Sequence, residues 1–385
     1  MSAGRQRTAL VVEIGGRAGR WACKSLHESG FRVVGTYNSI KSAHDAGGPY
    51  CDMLRPLASP RDDGGAFADG VCAIVDEVHA DVIMQTDNEA ATEVLTHVHA
   101  RTSAAVVGPD ERQYKALCDK STLDETARAA GLDTPLTVLL DADGPIGDLP
   151  AFPCIVKPAG AITGDEWRHL QRTASVVHDP SDRDRRVAEL VRAAGAALVQ
   201  EQVVGRAWRV HFVATRDAIA TLPVITRYSY PRDAGMSSVQ QLPKAAPDRI
   251  FDDAELLIRS TGYVGPGSVQ FIERDDRFFV HDVNLRLPSS VAISIKGGLD
   301  MPTLAARVAL GDENVLANVR LRRGITYVWL GGEVRALLRE VREPRRAPRA
   351  LATFASVVGS AALGPASVLD RAPFRHRLRR ALTRS

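Results

Sequence analysis

The sequence predicts an α/β protein in which a parallel-sheet N-terminal domain precedes a two-part α+β region. From residue 8 to residue 107, short apolar runs rich in β-branched residues alternate with amphipathic helical stretches. This alternation is typical of a parallel sheet that carries helices on both faces. Beyond residue 196, strand-like runs follow one another with short polar turns, as in an antiparallel meander. The length of 385 residues allows two or three domains.

Composition indicates a globular chain, with 45% apolar and 25% charged residues. The net charge is only +3, but 12 arginines face 4 acidic residues from position 331 onward, which leaves residues 1–330 at about −5. A basic tail can contact nucleic acid or acidic lipid, but it is more often a solvated helix face. No nucleic-acid partner is therefore expected.

Cysteine usage indicates a reducing compartment, and we expect a cytoplasmic protein. The five cysteines are widely spaced, odd in number and never in a CxxC pair, which argues against a disulfide framework and a structural zinc site. They are Cys23, Cys51, Cys72, Cys118 and Cys154. Residues 1–8 are polar and do not resemble a signal peptide. The uncharged stretch 350–369 contains Pro365 and predicts buried C-terminal helices rather than a membrane span.

The N-terminal domain is predicted to contain strands at 8–14, 31–36, 81–85 and 104–107, with helices at 21–29, 71–79 and 89–100. The glycines at 15, 16 and 19 resemble a dinucleotide-binding turn, but the second strand ends at Asn38 without the acidic residue that binds ribose. A tight turn is therefore favoured over a nicotinamide site. Asp87 and Glu89 follow the strand 81–85, where capping by Asp87 or Asn88 and substrate contact both remain open.

The next part of the chain places two lysines beside regular structure. Lys120 precedes a predicted helix at 121–130, with Ser121 as a possible N-cap. A linker at 141–150 leads to a strand at 152–156 that delivers Lys157. A polar helix at 180–194 and strands at 196–204, 206–215 and 218–226 follow.

A predicted hairpin near residues 265–299 carries the densest polar pattern. Its strands, 268–272 and 278–287, flank the charged turn 274–277. Because strand side chains alternate, Asp282, Asn284 and Arg286 share one face, with Gln270 opposite them. His281, Val283 and Leu285 are expected on the other face. Oxygen ligands beside a fixed cation suit Mg²⁺ and a transferring phosphate.

The ordered set of Lys120, Lys157, the strand 199–204 and this hairpin resembles the ATP-grasp superfamily. The hairpin is most similar to that of the carbamoyl phosphate synthetase large chain, through the Val-Gln-Phe strand 269–271, the Asp-x-Asn-x-Arg strand 282–286 and the helical entry 294–298. The likeness covers about residues 8–312. It implies a Rossmann-like preATP-grasp domain at 1–115 and a two-part ATP-grasp domain. The parts are a lid subdomain at 116–205 and a metal and substrate subdomain at 206–312, followed by a basic helical extension at 313–385.

The resemblance also implies site roles. Lys120 and Lys157 would hold the ATP phosphates, the loop 160–164 would close over them, and Arg286 would neutralise charge in the transition state. The hinge strand would pair with adenine through Gln200, Glu201, Gln202 and Val203, with Glu201 near the ribose. Mg²⁺ (or Mn²⁺) would bind Gln270, Asp282 and Asn284, with Glu273 as an alternative ligand.

The loop 226–242 is a candidate substrate loop in which arginines could hold a carboxylate and serines could face the acceptor. Its candidate residues are Arg227, Arg232, Ser237 and Ser238. The chain departs from the family pattern in three places. Asp282 stands where glutamate is usual, Arg206-Ala207 follows Gly205 where glutamate is frequent, and the loop 159–167 is not strongly glycine-rich.

The resemblance implies an ATP-dependent carboxylate–amine ligase that forms an acyl phosphate and releases an amide, ADP and phosphate. Small-molecule carboxylate and amine substrates and a possible homo-oligomer are the expected partners. Two alternatives remain: a bicarbonate-activating carboxylase or carbamoyl-phosphate-synthetase-like enzyme, and a nucleotide-binding protein without catalysis. His211 and His281 are expected to be packed strand histidines rather than nucleophiles.

Overall fold

The computed structural model describes residues 5–38, 48–141, 144–145, 148–160, 174–230, 236–363 and 367–371. Three sheets organise these residues: a five-stranded parallel sheet, a five-stranded antiparallel sheet and a seven-stranded mixed sheet. Arg232 and most of the predicted lid loop 160–164 lie outside the described residues. The predicted fold class, a parallel N-terminal domain followed by α+β parts, is confirmed.

The N-terminal sheet has the strand order β3-β2-β1-β4-β5 and is parallel throughout. Its strands are β1 (Thr8–Val11), β2 (Arg32–Tyr37), β3 (Met53–Pro56), β4 (Val82–Met84) and β5 (Ala105–Val107). Its helices are α1 (Arg17–Glu28), α2 (Gly64–Val78) and α3 (Glu89–Leu95). The strand order reverses between β1 and β4, which opens a crevice at their carboxyl ends. Sequence patterns missed β3, because four residues that end in proline give no periodic signal.

The antiparallel sheet has the order β7-β6-β10-β8-β9. Two short helices lead into it, α4 (Glu111–Leu117) and α5 (Leu123–Ala129). Its strands are β6 (Thr137–Asp141), β7 (Gly144–Pro145), β8 (Cys154–Pro158), β9 (Ser175–Val177) and β10 (Ala197–Glu201), and α6 (Pro180–Ala194) packs on one face. Asp179 caps α6 by accepting from the backbone of Asp182, and Gly195 ends it in the left-handed conformation.

The seven-stranded sheet has the order β15-β14-β11-β12-β13-β16-β17. Its strands are β11 (Arg206–Ala214), β12 (Ile219–Tyr230), β13 (Met236–Gln241), β14 (Gly265–Arg274), β15 (Arg277–Asn284), β16 (Thr326–Trp329) and β17 (Val368–Asp370). The helices of this part are α7 (Arg249–Ser260), α8 (Val291–Lys296), α9 (Met301–Ala309), α10 (Leu330–Glu340) and α11 (Ala347–Leu363). The two faces of this sheet bury different partners. One face packs with the N-terminal domain, α8 and α9, and the other packs with α4, α5 and α7.

The C-terminal part of the chain corrects the expectation of a purely helical extension at 313–385. Strands β16 and β17 extend the seven-stranded sheet beyond β13. Tyr327 and Val328 are fully buried. Helix α11 is also less buried than predicted, since Leu351 is 55% exposed. None of the described helices is long and apolar enough to span a membrane.

Candidate active site

A polar row crosses three adjacent strands on the face that packs with the N-terminal domain. Asp282 on β15 lies opposite Gln270 on β14, and Gln270 lies opposite Arg209 on β11. Cross-strand partners point to the same face of a sheet. The row therefore brings a carboxylate, an amide and a guanidinium together above the sheet.

Lys120 reaches this row from the connection between α4 and α5. Its Nζ forms an ion pair with Glu89 at the start of α3. Burial alone would raise the pKa of Glu89, but the charges of Lys120 and Arg286 outweigh it and hold that pKa below its ordinary value. Burial would likewise lower the pKa of Lys120, but Glu89 and Asp282 keep it raised. Both groups are therefore charged at neutral pH.

Lys157 enters from β8 of the antiparallel sheet. Its Nζ donates to Gln200 Oε1 at 3.1 Å and to the His281 carbonyl at 3.3 Å. Burial lowers the pKa of Lys157 to about 8; Asp282 opposes this shift and the charge of Lys120 adds to it. The structure thus brings Lys157, Lys120 and Asp282 together, as predicted from their order in the chain.

The predicted metal row is assembled, but its amides point toward the carboxylate in this arrangement. Asn284 Nδ2 donates to Asp282 Oδ2 at 2.7 Å, and Gln270 Nε2 donates to the same oxygen. Burial would raise the pKa of Asp282, but the charges of Lys120 and Lys157 and the hydrogen bond from Asn284 hold that pKa below its ordinary value. One carboxylate and two amides provide hard oxygen donors of the kind that Mg²⁺ takes, once the amides turn their oxygens toward it. Glu89 supplies a second carboxylate nearby.

Glu273, the alternative ligand, is not part of this row. Its carboxylate accepts from Trp208 Nε1 at 2.8 Å and lies 3.7 Å from Arg206. Trp208 belongs to the core on the opposite face of the sheet. Glu273 is therefore excluded as the replacement ligand, and among the described residues no group of three or more His, Cys, Asp or Glu could hold a metal by itself.

His281 corrects the predicted alternation of the hairpin. The register shifts there, so that Gln270 pairs with Asp282 and Phe271 pairs with Val280, which leaves His281 as the extra residue of a β-bulge. Burial lowers the pKa of His281 to about 4, and the charges of Asp282, Lys157 and Arg209 also act on it. The imidazole therefore lies near the polar row rather than with Val283 and Leu285. His211 is packed as expected: it is fully buried and its Nδ1 bonds to Ser294 Oγ at 2.6 Å.

The four candidate adenine-binding residues of the hinge strand, 200–203, lie in different surroundings. Gln200 is a central sheet residue whose Nε2 donates to Thr137 Oγ1 at 2.8 Å. Glu201 is tied to the hairpin through an ion pair with Arg274 at 3.0 Å, and its N–H donates to the Leu136 carbonyl. Strand β10 ends at Glu201, and the chain leaves the sheet at Gln202 and Val203. Gln202 and Val203 therefore lie outside the strand pairing, and the adenine and ribose roles of the four residues stay predictions.

Arg286 is held beside Glu89 and Lys120 by the residue before it. The Leu285 carbonyl accepts from Gln85 Nε2 at 2.9 Å and from the Tyr263 hydroxyl at 3.5 Å. Leu285 itself is fully buried. These contacts fix the backbone from which the Arg286 guanidinium projects toward the charged cluster.

The candidate substrate loop is only partly supported. Arg227 is exposed on β12 at a register irregularity, and Arg232 lies outside the described residues. Ser237 is buried and bonded to Thr226 Oγ1 at 3.1 Å. Ser238 is fully buried, and a Cβ on Gly332 would lie 3.1 Å from its Cβ. The two serines therefore do not line an open loop surface, because β16 and α10 pack beside β13.

At the crevice of the parallel sheet, the structure settles the capping question. Asn88 caps α3 by accepting from the Ala90 N–H at 3.0 Å. Its amide also donates to Glu13, a residue with a φ of +54°. Burial raises the pKa of Glu13 to about 7, although the Asn88 hydrogen bond and Arg61 oppose the shift. Gly16 lies close to this region, and a Cβ added there would lie 2.4 Å from Asp87 Oδ1 and displace that carboxylate.

Arg209 and Arg17 are site residues that pattern reasoning missed. Burial lowers the pKa of Arg209 to about 10, against the attraction of Asp282 and with the repulsion of Arg17 and Arg286. Arg17 opens α1 and is 5% exposed. The strand alternation of β11 could have placed Arg209 on the site face, but its place beside Gln270 depends on a long-range register.

Sequence comparison supports the ATP-grasp resemblance locally. The family model "Carbamoyl-phosphate synthase L chain, ATP binding domain" matches residues 236–316. This segment contains the whole metal hairpin, which the sequence likened to the same family. A search of curated proteins finds no match.

Similar folds extend the resemblance over most of the chain. L-amino acid ligase from Bacillus licheniformis has a TM-score of 0.65 at 17% identity, over 82% of this chain and 78% of that one. Biotin carboxylase from Campylobacter jejuni has a TM-score of 0.62 at 16% identity, over 79% and 71%. N5-carboxyaminoimidazole synthetase from Staphylococcus aureus has a TM-score of 0.60 at 14% identity, over 78% of each chain. All three are ATP-grasp enzymes, so the predicted ATP-grasp fold is confirmed.

Proposed function

Because the chain has the ATP-grasp fold, we propose that it is an ATP-dependent carboxylate–amine ligase. One observation carries this proposal: Lys120 and Lys157, delivered by separate elements, converge with Asp282 and Arg286 in one charged cluster. Glu89 and Asp282 offset only part of the positive charge of Lys120, Lys157 and Arg286, so this half-buried site favours an anionic ligand. A nucleoside triphosphate supplies that charge.

The residues of the site have distinct tasks in this chemistry. Lys120 and Lys157 hold phosphate oxygens as point charges, and Arg286 stabilises the charge that develops during phosphoryl transfer. Transfer of the γ-phosphoryl group to a carboxylate gives an acyl phosphate and ADP. Attack by an amine then forms the amide and releases phosphate. Phosphoryl transfer needs positioning and charge neutralisation, and it needs no protein nucleophile.

Asp282, Gln270 and Asn284 are the residues that would bind Mg²⁺ (or Mn²⁺), with Glu89 as a further carboxylate. The ion would supply positive charge that offsets part of the charge of the phosphate groups. Asp282 is ionised at neutral pH, because its pKa lies below the ordinary value of an aspartate. Its present hydrogen bonds with both amides keep the three side chains together, so that only side-chain rotation is needed to offer three oxygens.

The expected partners are a small-molecule carboxylate and a small-molecule amine, and the chain is proposed to form a homo-oligomer in the cytoplasm. The five cysteines are free thiols, which suits a reducing compartment. Light scattering after size-exclusion chromatography measures the oligomeric state, and a monomer at micromolar concentration would remove that part of the proposal.

The ligase proposal is tested by incubating the protein with MgATP and mixtures of amino acids, dicarboxylates and amines. We expect ADP release that depends on the mixture, with an amide product identified by mass spectrometry. Bicarbonate in a separate reaction tests the carboxylase alternative. ATP binding without ADP release in any reaction would instead support a nucleotide-binding protein without catalysis.

A matched pair of variants assigns any activity to the proposed site. Lys157→Met should lower ADP release by at least about a hundredfold, since it removes a charge that stabilises the transferring phosphate. Lys115→Met on α4 removes an exposed lysine and should leave the rate unchanged. Equal rates in both variants would place the phosphate site elsewhere.

A further inference from the structure

Arg17 is a buried cation that forms no ion pair with any carboxylate of the described residues. Its Nη2 donates to Ser289 Oγ at 2.8 Å and its Nη1 donates to the Tyr327 hydroxyl at 3.3 Å. The guanidinium also lies 4.2 Å from the centre of the Trp329 ring. No acidic oxygen of the described residues lies within ion-pair distance of it. Asp370 is reached only indirectly, because it accepts from Tyr327 at 2.9 Å.

Arg209 is a second guanidinium close to the first. Within the described part of the chain it forms neither a hydrogen bond nor a close ion pair, although it lies half-buried among charges. The Asp282 carboxylate attracts the Arg209 guanidinium from two strands away, but it also interacts with the charges of Lys120 and Lys157. Arg17 and Arg209 repel one another. Burial of two neighbouring guanidinium groups is unfavourable in free energy unless an anion binds to them.

The same face of the sheet concentrates buried polar atoms that lack partners. Of the ten such side-chain atoms in the described residues, six belong to this face and to the adjoining start of α8. They are His211 Nε2, Ser238 Oγ, Gln240 Oε1, Gln240 Nε2, Ser290 Oγ and Trp329 Nε1. Gln240 is fully buried and pairs in register with Tyr327, whose hydroxyl contacts Arg17. Native structures satisfy most buried polar atoms, so this concentration points to a ligand.

We propose that Arg209, Arg17 and Gln240 form a subsite for an anionic group that the co-substrate keeps through the reaction, either a carboxylate or a phosphate. Guanidinium groups bind both of these anions through paired N–H donors. This inference rests on the proposed function, because it extends the same site away from the lysines. The substrate class is then a small molecule with a second anion, such as an amino acid, a dicarboxylate or a phosphorylated amine.

The distance from the metal row limits the size of this substrate. Neighbouring strands lie about 4.8 Å apart, so β11 lies roughly 10 Å from β15 across β14. Gln240 on β13 lies two strands farther along. Arg209 therefore receives the anion first, and Arg17 and Gln240 form the buried wall behind it. This distance suits a substrate in which only a few bonds separate the reacting group from the retained anion.

The subsite is tested by anion binding and by kinetics. With saturating MgADP to fill the nucleotide site, succinate and inorganic phosphate are titrated separately while the unfolding temperature is measured at constant ionic strength. We expect one of the two anions to raise this temperature in the wild type and to lose the effect in Arg209→Gln. The anion that acts identifies carboxylate or phosphate as the retained group.

Kinetics then separates this subsite from the nucleotide site. For any co-substrate that stimulates ADP release, Arg209→Gln should raise its KM at least about tenfold, since a charged hydrogen-bond pair is lost. The KM for ATP should change less than about twofold. Arg209→Lys should restore part of the affinity, and the amide of the same co-substrate should be a poor substrate for the wild type. Arg206→Gln, three residues earlier on β11 and 60% exposed, is the matched control.

The outcomes are distinct. Absence of ADP release with every co-substrate in the wild type overturns the proposed function, while the anion titration in the presence of MgADP still decides the subsite. An anion effect that survives Arg209→Gln, or equal use of a co-substrate and its amide, overturns the subsite alone. Gln240→Leu provides a second variant that keeps the volume of the side chain. It should fold at least as stably, because it removes an unsatisfied amide, and it should still weaken the anion effect.

Discussion

Asn284 is the residue whose removal most directly tests the metal row. Its side chain is half-buried and donates one hydrogen bond to Asp282. Asn284→Ala should cost only about 1 kcal/mol in unfolding free energy, and it should lower Mg²⁺-dependent ADP release by at least about a hundredfold. Urea denaturation and steady-state kinetics measure the two effects. Asn284→Asp keeps an oxygen ligand and should retain part of the activity, whereas normal turnover in Asn284→Ala would exclude the row as the metal site.

Lys157 gives the site a specific pH dependence. Burial lowers its pKa to about 8, so the free protein loses this positive charge as the pH rises through that value. Bound phosphate favours the charged form, so ATP binding above pH 8 must take up a proton. The Kd for ATP should therefore rise with pH from about 8 upward, by at most tenfold per pH unit. Calorimetry in buffers of different ionisation enthalpy measures the proton uptake, and Lys157→Arg should abolish it.

At the scale of single residues, the sequence predicted those that follow from local order. The ATP-grasp resemblance, carried by the order of these local elements, implied that Lys120, Lys157 and Asp282 share one site, and the structure brings them together. Arg17 and Arg209 were missed because their proximity needs α1 to pack on the seven-stranded sheet. Two residues nearly 200 positions apart in the chain give no local signal of such a contact.

At the scale of the element, strand alternation predicted the faces of the hairpin correctly from residue 282 onward. Val283 and Leu285 are buried, while Asp282 and Asn284 are half-buried on the site side. Strand alternation failed at His281, because this extra residue of the β-bulge changes the face of the sheet on which the side chain lies. The pattern of polar residues in the sequence does not reveal such a bulge.

Gly205 permits the close approach of β11 to β14 at the end of the hinge strand. A Cβ at this position would lie 2.0 Å from the Glu273 carbonyl oxygen, which is backbone and cannot turn away. Gly205→Ala should therefore lower the unfolding free energy by about 2 kcal/mol, in the range found for overpacked sites. Gly160→Ala, where an added Cβ meets nothing within 4 Å, is the control. Urea midpoints that agree within error for the two variants would show that the strands separate without cost.

At the scale of the whole molecule, the C-terminal residues belong to the main sheet rather than to a detachable tail. Arginine content suggested a solvated extension, since a charge count does not reveal that 326–329 pairs with β13. Tyr327 and Trp329 join the core that also contains α1, and α10 packs beside Ser238. Arg17 and Gln240 both contact this C-terminal part, since Tyr327 pairs in register with Gln240 and accepts from Arg17.

Removal of residues 313–385 should therefore unfold the protein rather than only trim it. The truncation takes away β16, exposes the hydrogen-bonding edge of β13 and uncovers apolar side chains of the core that contains α1. We expect aggregation, or a broad thermal transition in place of a cooperative one, together with loss of ATP binding. A shorter deletion from residue 372 leaves every described strand and helix in place and should retain cooperative unfolding. A soluble 1–312 fragment that binds ATP with native affinity would show that β16 and β17 are dispensable for the ligase fold.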